Sequence, residues 1–194
     1  MHHVQGKAAV LAEAALDSHA VLRVTAVALG SNLGDRRAHL FFAVSALGGL
    51  LADMRVAEFI ETAPVGVSSQ PRYLNGAVVG RCALAPAALL AALMRIETER
   101  GRTRPYSGAP RTLDLDLVLM GDLVLRQPDL EVPHPRFRER RFVLEPLAAI
   151  APGLTDPVTG RSMHELLRAM ESSADQSLRS RASRLQAPGP ADAR

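Results

Sequence analysis

The stretch Arg111-Thr-Leu-Asp-Leu-Asp-Leu-Val-Leu119 has a period of two and predicts one strand of the fold. Successive side chains of a strand point to opposite faces, so Asp114 and Asp116 would share the polar face. The two carboxylates would lie roughly 6.6 Å apart, at about 3.3 Å per residue, and would repel each other unless a positive charge lay between them. The pattern therefore indicates a divalent cation, and oxygen ligands with a phosphate favour Mg²⁺. The opposite face would enter a core with four leucines, Leu113, Leu115, Leu117 and Leu119.

A loop rich in glycine and proline, residues 101–111, precedes this strand and carries Arg102, Arg104 and Arg111. The planar guanidinium group fits phosphate oxygens with two parallel hydrogen bonds. Because the composition disfavours a regular helix or strand, we interpret the loop as a lid over an anionic substrate. The alternatives are a solvated loop whose arginines bind nothing and exposed aspartates that hold no metal.

The composition indicates one globular domain, since the chain has 194 residues of which 47% are hydrophobic. The single cysteine, Cys82, excludes a disulfide framework, and its apolar surroundings predict a buried, unreactive thiol in a reducing cytoplasm. All but one of the 23 basic residues are arginine, the exception being Lys7, so a P-loop lysine is excluded. The net charge of +3 is too small to predict a nucleic-acid partner, and the apolar runs are too short to cross a membrane.

The order of local signals predicts an α+β fold. Strands are expected at 24–29, 54–62 and 73–82, with helices beginning after the N-cap Asp35 and at Pro86. With the aspartate strand, the order β-α-β-β-α-β predicts a ferredoxin-like antiparallel sheet with helices packed on one face. Gly121-Asp122 predicts a hairpin into 123–125, and short helices are expected at 139–150 and 164–170.

The composition also divides the chain. Residues 1–22 are expected to be a flexible extension, 23–172 the folded domain, and 173–194 a disordered tail rich in small and polar residues.

Two further motifs carry candidate contacts. Gly30-Ser-Asn-Leu-Gly34 lies before a helix and fits either a tight turn or an anion site at the helix N-terminus. In Val132-Pro-His-Pro135, two prolines hold His134 in place, which favours a positioned contact. The four arginines that follow this histidine form either a solvated face or part of the site.

Together these motifs resemble the 6-hydroxymethyl-7,8-dihydropterin pyrophosphokinase family. The resemblance runs from about Thr25 to Pro152, and Pro110-Arg-Thr-Leu-Asp-Leu-Asp116 is its most specific part. The other matching segments arrive in the family's order: Ala28-Leu-Gly-Ser-Asn-Leu-Gly34, Thr62-Ala-Pro64, Tyr73-Leu-Asn75, Arg95-Ile-Glu97, Val132-Pro-His134 and Arg140-Arg-Phe-Val-Leu144.

The resemblance implies transfer of the terminal diphosphate of ATP to the pterin hydroxymethyl oxygen, with release of AMP. It implies that Asp114 and Asp116 hold two Mg²⁺ ions, and that Arg102 and Arg111 stabilise the transferring group. Nucleotide contacts are implied for Glu97 (to the ribose), Arg104, Arg111, His134 and Arg140. Pterin contacts are implied for Thr62, Pro64, Val65, Tyr73, Asn75 and Phe142. We expect small-molecule substrates only, and a monomer or a weak oligomer.

One departure from the family concerns the lid, because many members carry an Arg-Trp-Gly there and this chain has no tryptophan. We expect Tyr106, or no residue, to take that role.

Three other classes of protein stay open. An RNA-binding module would display aromatics where this chain has aspartates. A sugar-nucleotide transferase would also use an Asp-x-Asp pair, and a non-catalytic relative would have lost the charged residues that this chain retains.

Overall fold

The computed structural model describes residues 21–64, 70–103, 106 and 109–185, and for 177–185 the backbone alone. In chain order the elements are β1 (Arg23–Ser31), α1 (Arg36–Leu47), β2 (Ala52–Val56), β3 (Ile60–Thr62), β4 (Tyr73–Cys82), α2 (Pro86–Glu99), β5 (Asp114–Met120), β6 (Leu125–Gln127), β7 (Leu130–Val132), a 3₁₀ turn (Phe137–Glu139), α3 (Arg141–Ile150) and α4 (Met163–Leu185).

The main sheet is antiparallel and has the order β2-β4-β1-β5, with β3 also pairing with β4. The predicted strand 54–62 is thus two shorter strands on the same neighbour. Counting β2 and β3 as one interrupted strand, the chain follows the order β-α-β-β-α-β, and the ferredoxin-like prediction is confirmed.

Helices cover both faces of this sheet, so the prediction of helices on one face is wrong. On one face, α1 and α2 pack leucines such as Leu40 and Leu93 against Val27 and Leu115. On the other face, α3 and α4 form a second core, with Leu147 and Met163 next to small strand residues, Ala26, Ala28 and Ala77. A strand buried on both faces is apolar throughout rather than alternating, which explains the continuous burial of β1 from Thr25 onward.

A β-bulge in β5 changes the face that its last residues cover. Val27 pairs with Leu117 but its neighbour Ala26 pairs with Leu119, so Val118 is the extra residue. Leu113, Leu115 and Leu117 enter the core with α1 and α2 as predicted, whereas Leu119 lies in the core with α3 and α4. The expectation that all four leucines share one face is therefore wrong at Leu119.

Local signals predict the first two helices well. The Asp35 carboxylate accepts a hydrogen bond from Ala38 N at 3.0 Å, which confirms the N-cap, and Pro86 is the first residue of α2. Cys82 is buried, as predicted, and burial raises the pKa of its thiol.

The hairpin predicted after β5 is wrong. The chain turns at Gly121, whose φ is +60°, but β6 then pairs with β7 in a separate two-stranded sheet. Leu123 and Leu125 pack against the core that contains the α1 and α2 leucines. The apolar run after the turn therefore contacts this core and does not pair with β5.

The carboxyl-terminal helices also differ from the prediction. The segment expected as one helix is a 3₁₀ turn followed by α3, and α4 continues to Leu185 instead of ending near 170. Residues 1–20 and 186–194 lie outside the described part of the chain, and the domain boundaries stay predictions. Among the described residues, no helix combines the length and apolar character needed to span a bilayer.

Candidate active site

A cavity of about 570 Å³ opens at the end of the sheet where β1, β4 and β5 meet the start of α3. It brings together nine residues predicted for the site, from segments far apart in sequence: Thr62, Pro64, Tyr73, Asn75, Arg111, Asp114, Asp116, Arg140 and Phe142. Arg102 and His134 approach the two aspartates and Glu97 pairs with Arg102, while Val65 and Arg104 are outside the described residues.

The two aspartates point into the cavity from β5, with Leu115 between them buried on the opposite face. Their neighbours on β1 are Gly30, opposite Asp114, and Ala28, opposite Asp116. A Cβ atom on Gly30 would lie 3.1 Å from Asn75 Oδ1 and 3.8 Å from Asp114 Cβ. Gly30, the first residue of the Gly30–Gly34 motif, therefore leaves space between Asn75 of the predicted pterin site and Asp114 of the predicted metal site.

Guanidinium groups neutralise both carboxylates. Asp114 accepts a hydrogen bond from Arg102 Nη1 at 2.6 Å and another from Arg111 Nη1. Asp116 accepts from Arg140 Nη1 at 3.0 Å and is the more exposed of the two carboxylates, at 32% against 18%.

Arg111 stays fully charged in this setting. Burial disfavours its positive charge, but the attraction and hydrogen bond of Asp114 outweigh that effect and raise the pKa of the guanidinium. A permanent cation at the edge of the cavity suits the oxygens of a phosphate.

Glu97 is buried in α2 and holds two parts of the site in place. Its carboxylate accepts a hydrogen bond from Leu115 N at 2.7 Å and pairs with Arg102. Arg102 is itself 9% exposed, and its buried Nε–H has no hydrogen-bond partner in the part of the chain that the structure describes. The Glu97 carboxylate thus fixes the Arg102 guanidinium beside Asp114. The predicted contact of Glu97 with a ribose stays a prediction.

His134 is held by hydrogen bonds at its backbone and its ring. Its N–H donates to Val118 O in the β5 bulge at 2.9 Å, and its Nδ1 accepts from Arg136 N at 3.1 Å. In the neutral ring the proton is therefore on Nε2, which lies 3.8 Å from Asp116 Oδ2. Burial lowers the pKa of this imidazole, with Asp116 opposing that shift and Arg140 adding to it.

The other side of the cavity is suited to a flat polar ring. Asn75 is buried and donates from Nδ2 to Thr62 Oγ1 at 2.7 Å, which leaves its Oδ1 near Gly30. Tyr73 and Phe142 both line this side, and the Arg140 guanidinium lies 5.7 Å from the centre of the Phe142 ring. Aromatic faces beside an amide edge can stack and read a heterocycle.

Some residues of the site were not predicted. Arg136 and Arg141, from the arginine cluster that was expected to be either a solvated face or part of the site, also line the cavity, and so do three residues with no predicted role, Gln70, Glu139 and Met170. The last comes from α4, and its sequence neighbours carry no signal for a site. Tyr106, expected in the lid, is 63% exposed, and its role there stays a prediction.

The donor set is compatible with Mg²⁺. Among the described residues there is no group of three or more His, Cys, Asp or Glu side chains that could enclose a metal. Mg²⁺ does not need one, because it is commonly bound by one or two carboxylates with substrate phosphates and water. Asp114 and Asp116, both facing the cavity, meet that requirement.

Comparison with known proteins identifies the family to which the chain belongs. Residues 26–152 match the family model described as 7,8-dihydro-6-hydroxymethylpterin-pyrophosphokinase (HPPK). Two curated relatives are named 2-amino-4-hydroxy-6-hydroxymethyldihydropteridine pyrophosphokinase. The one from Pseudomonas aeruginosa is 45% identical over 145 residues, covering 74% of this chain and 89% of the relative. The one from Synechocystis is 40% identical over 151 residues, covering 76% of each.

Solved structures support the same fold. A Plasmodium falciparum HPPK-DHPS crystal structure aligns with a TM-score of 0.66 and 12% identity, covering 81% of this chain and 46% of that one. This chain therefore spans about half the length of that structure. The fold and site define an α+β protein with carboxylates, guanidinium groups and aromatic side chains around one cavity. The chain belongs to the 7,8-dihydro-6-hydroxymethylpterin-pyrophosphokinase family, and the family expectation from its motifs is confirmed.

Proposed function

We propose that this protein transfers diphosphate from ATP to 6-hydroxymethyl-7,8-dihydropterin, giving AMP and the pterin diphosphate. The hydroxymethyl oxygen forms a bond to the β-phosphorus of ATP, the bond from that phosphorus to the α,β-bridging oxygen breaks, and the hydroxyl proton leaves. The observation that carries the proposal is one cavity in which Asp114 and Asp116 face Tyr73 and Phe142.

The acidic side of the cavity is assigned to the phosphates. Asp114 and Asp116 would hold two Mg²⁺ ions, whose charge neutralises phosphate oxygens when they are bound. Arg102 and Arg111 would stabilise the negative charge of the transferring group, since each is already positioned at Asp114. The loss of one such contact is expected to cost about 3 kcal/mol, or roughly two orders of magnitude in rate.

The remaining contacts divide between the two substrates. His134, Arg140 and Arg104 are proposed to contact the nucleotide. Glu97 is proposed to contact the ribose and also to hold Arg102 in place. Tyr73 and Phe142 are proposed to hold the pterin ring between them, while Asn75 reads its edge and Thr62, Pro64 and Val65 complete the pocket. The predicted cytoplasmic location and monomeric state stay predictions.

The test is product analysis with ATP and Mg²⁺, with and without hydroxymethyl-dihydropterin. We expect AMP that depends on the pterin and appears in a 1:1 ratio with pterin diphosphate. ADP in place of AMP would mean transfer of a single phosphoryl group and would overturn the proposal. Heat protection by a sugar nucleotide, but not by the pterin, would favour the other transferase class.

A further inference from the structure

Asn32, at the end of β1, binds both main-chain groups of Arg111. Its own N–H donates to Arg111 O at 3.0 Å, and its side-chain Oδ1 accepts from Arg111 N at 2.7 Å. Because a backbone N–H can only donate, the side-chain atom that faces it must be the oxygen, which fixes the orientation of the amide. Asn32 is 1% exposed, so water does not compete for these bonds.

The other half of the Asn32 amide reaches the opposite side of the cavity. Nδ2 donates to Gln70 Oε1 at 3.1 Å, and the same oxygen accepts from the Tyr73 hydroxyl at 3.3 Å. Both Gln70 and Tyr73 line the cavity. The Asn32 side chain therefore makes two contacts. Its oxygen accepts from the backbone of Arg111, beside the aspartates, and its nitrogen donates to Gln70, beside Tyr73.

A second tie supports the same connection from the start of α1. Arg36 Nη1 donates to Glu61 at 2.8 Å and to Arg72 O at 2.7 Å, and so joins the segment after β1 to the strand ends around Tyr73. These contacts are exposed, whereas Asn32 itself is buried and its side-chain contacts are partly buried. The connection through Asn32 is therefore the one that a substitution is expected to break.

We propose that Asn32 is a positioning residue that couples the two halves of the site: its carbonyl oxygen orients Arg111 for diphosphate transfer, and its amide nitrogen orients Gln70 and Tyr73 for the pterin. This inference rests on the proposed function. Asparagine suits the position because its amide supplies one acceptor and one donor on a short, stiff side chain.

The test uses two variants that separate the halves. Q70L removes the acceptor for Asn32 and Tyr73 but leaves Arg111 bound to Asn32. N32A removes both side-chain hydrogen bonds of Asn32, the one to Gln70 and the one from Arg111 N. We expect Q70L to raise KM for the pterin at least fivefold with a smaller effect on kcat, and N32A to raise that KM similarly while lowering kcat at least tenfold. S45A, at an exposed position on α1, is the matched control for handling and folding.

The double variant gives the decisive measurement. In the N32A background, Q70L should raise KM for the pterin by a smaller factor than it does in the wild type, because the Asn32–Gln70 bond is already lost and only the Tyr73–Gln70 bond remains to be removed. Multiplicative effects of the two substitutions would overturn the coupling, as would N32A with both constants within twofold of wild type.

Two further outcomes need separate treatment, namely an N32A variant that does not fold and a wild-type protein that is inactive. If N32A does not fold, N32D takes its place, since it retains the acceptor for Arg111 N and loses the donor to Gln70. N32D should then match Q70L in KM for the pterin, and an unchanged KM would contradict the proposal. Wild-type protein that forms no AMP in the same assay would overturn the proposed function instead.

Discussion

Asp116 differs from Asp114 in how firmly the protein holds it. Asp114 is bound by two arginines, whereas Asp116 is bound by Arg140 and is about one third exposed. This single, partly exposed ion pair holds Asp116 less firmly than the two arginines hold Asp114, so the carboxylate of Asp116 is the more available of the two for a ligand.

The first prediction follows from this difference. D116A should lower kcat/KM by at least roughly 100-fold, the size expected for loss of an electrostatic contact to the transferring group. The free energy of unfolding should change by less than about 1 kcal/mol, as at other partly exposed positions. AMP formation and urea unfolding measure the two quantities. Activity within threefold of wild type would show that Asp116 holds no catalytic cation.

Phe142 permits a test of how the cavity is divided. It lies in the first turn of α3, lines the cavity and is only partly buried. F142A should weaken pterin binding at least tenfold and ATP binding less than threefold, because a stacked aromatic face contributes about 1 kcal/mol beyond its buried area. Calorimetric titration with each ligand measures both affinities. Equal losses for the two ligands would indicate a packing role instead.

At the scale of elements, the clearest electrostatic link joins α2 to β5. Glu97 accepts from Leu115 N and pairs with Arg102, and its side chain is 4% exposed. E97A would leave a buried N–H without its acceptor and Arg102 without one of its two carboxylates. We expect a loss of about 3 kcal/mol in unfolding free energy, the usual cost of breaking a buried pair.

Glu99 provides the control for this prediction, because it is exposed two residues further along the same helix. E99A should stay within about 0.5 kcal/mol of wild type in the same denaturant titration. Equal effects of the two substitutions would mean that helix propensity, and not the buried pair, determines the cost.

The limits of an element are predicted best where turn residues or a cap mark them in the sequence. The limits of β4 and the start of α1 follow directly from turn residues, the N-cap and apolar patterns. The second helical layer is harder to foresee, because α3 and α4 pack on Ala26, Ala28 and Ala77, whose small side chains carry no distinctive period. The bulge at Val118 is also invisible in a regular alternation of leucines, since it depends on pairing with β1.

The candidate site could be predicted where side-chain chemistry is concentrated in a short segment. Asp114, Asp116 and the arginines near them have this property, and the structure places the described ones around a single cavity or bound to its lining. Asn32 and Met170 do not have this property. Asn32 contacts backbone groups of a distant loop, and Met170 is the one lining residue from the described side chains of α4. Such contacts depend on the tertiary fold.

At the scale of the whole molecule, Asp156 fastens the 3₁₀ turn to the segment between α3 and α4. Its buried carboxylate accepts from Arg138 Nε at 2.8 Å and Nη2 at 2.7 Å, and from Thr159. Burial alone would raise the pKa of this carboxyl, but the hydrogen bonds from Arg138, Thr159 and Val158 outweigh it and lower the pKa below its ordinary 3.8.

This lowered pKa gives a pH prediction with a definite sign. Protons bind the unfolded chain more readily, so the stability contributed by Asp156 is complete above about pH 4 and is lost as the pH falls through the native pKa. D156N should therefore be less stable than wild type at pH 6, and the difference should shrink by pH 2.5. Thermal unfolding across that range measures it. D122N, at an exposed position, should stay within about 0.5 kcal/mol of wild type at pH 6. A D156N difference independent of pH would contradict the assignment.

Among the described residues, the cations that line the cavity are all guanidinium groups, and the sequence contains one lysine, Lys7. The pocket therefore has a simple reactivity profile. A succinimidyl ester, which acylates amines, has Lys7 as its single side-chain target in the sequence and finds no lysine among the described residues that line the cavity. A dicarbonyl such as phenylglyoxal, which attacks guanidines, would reach the pocket itself, and protection of its arginines would serve as a footprint of ligand binding.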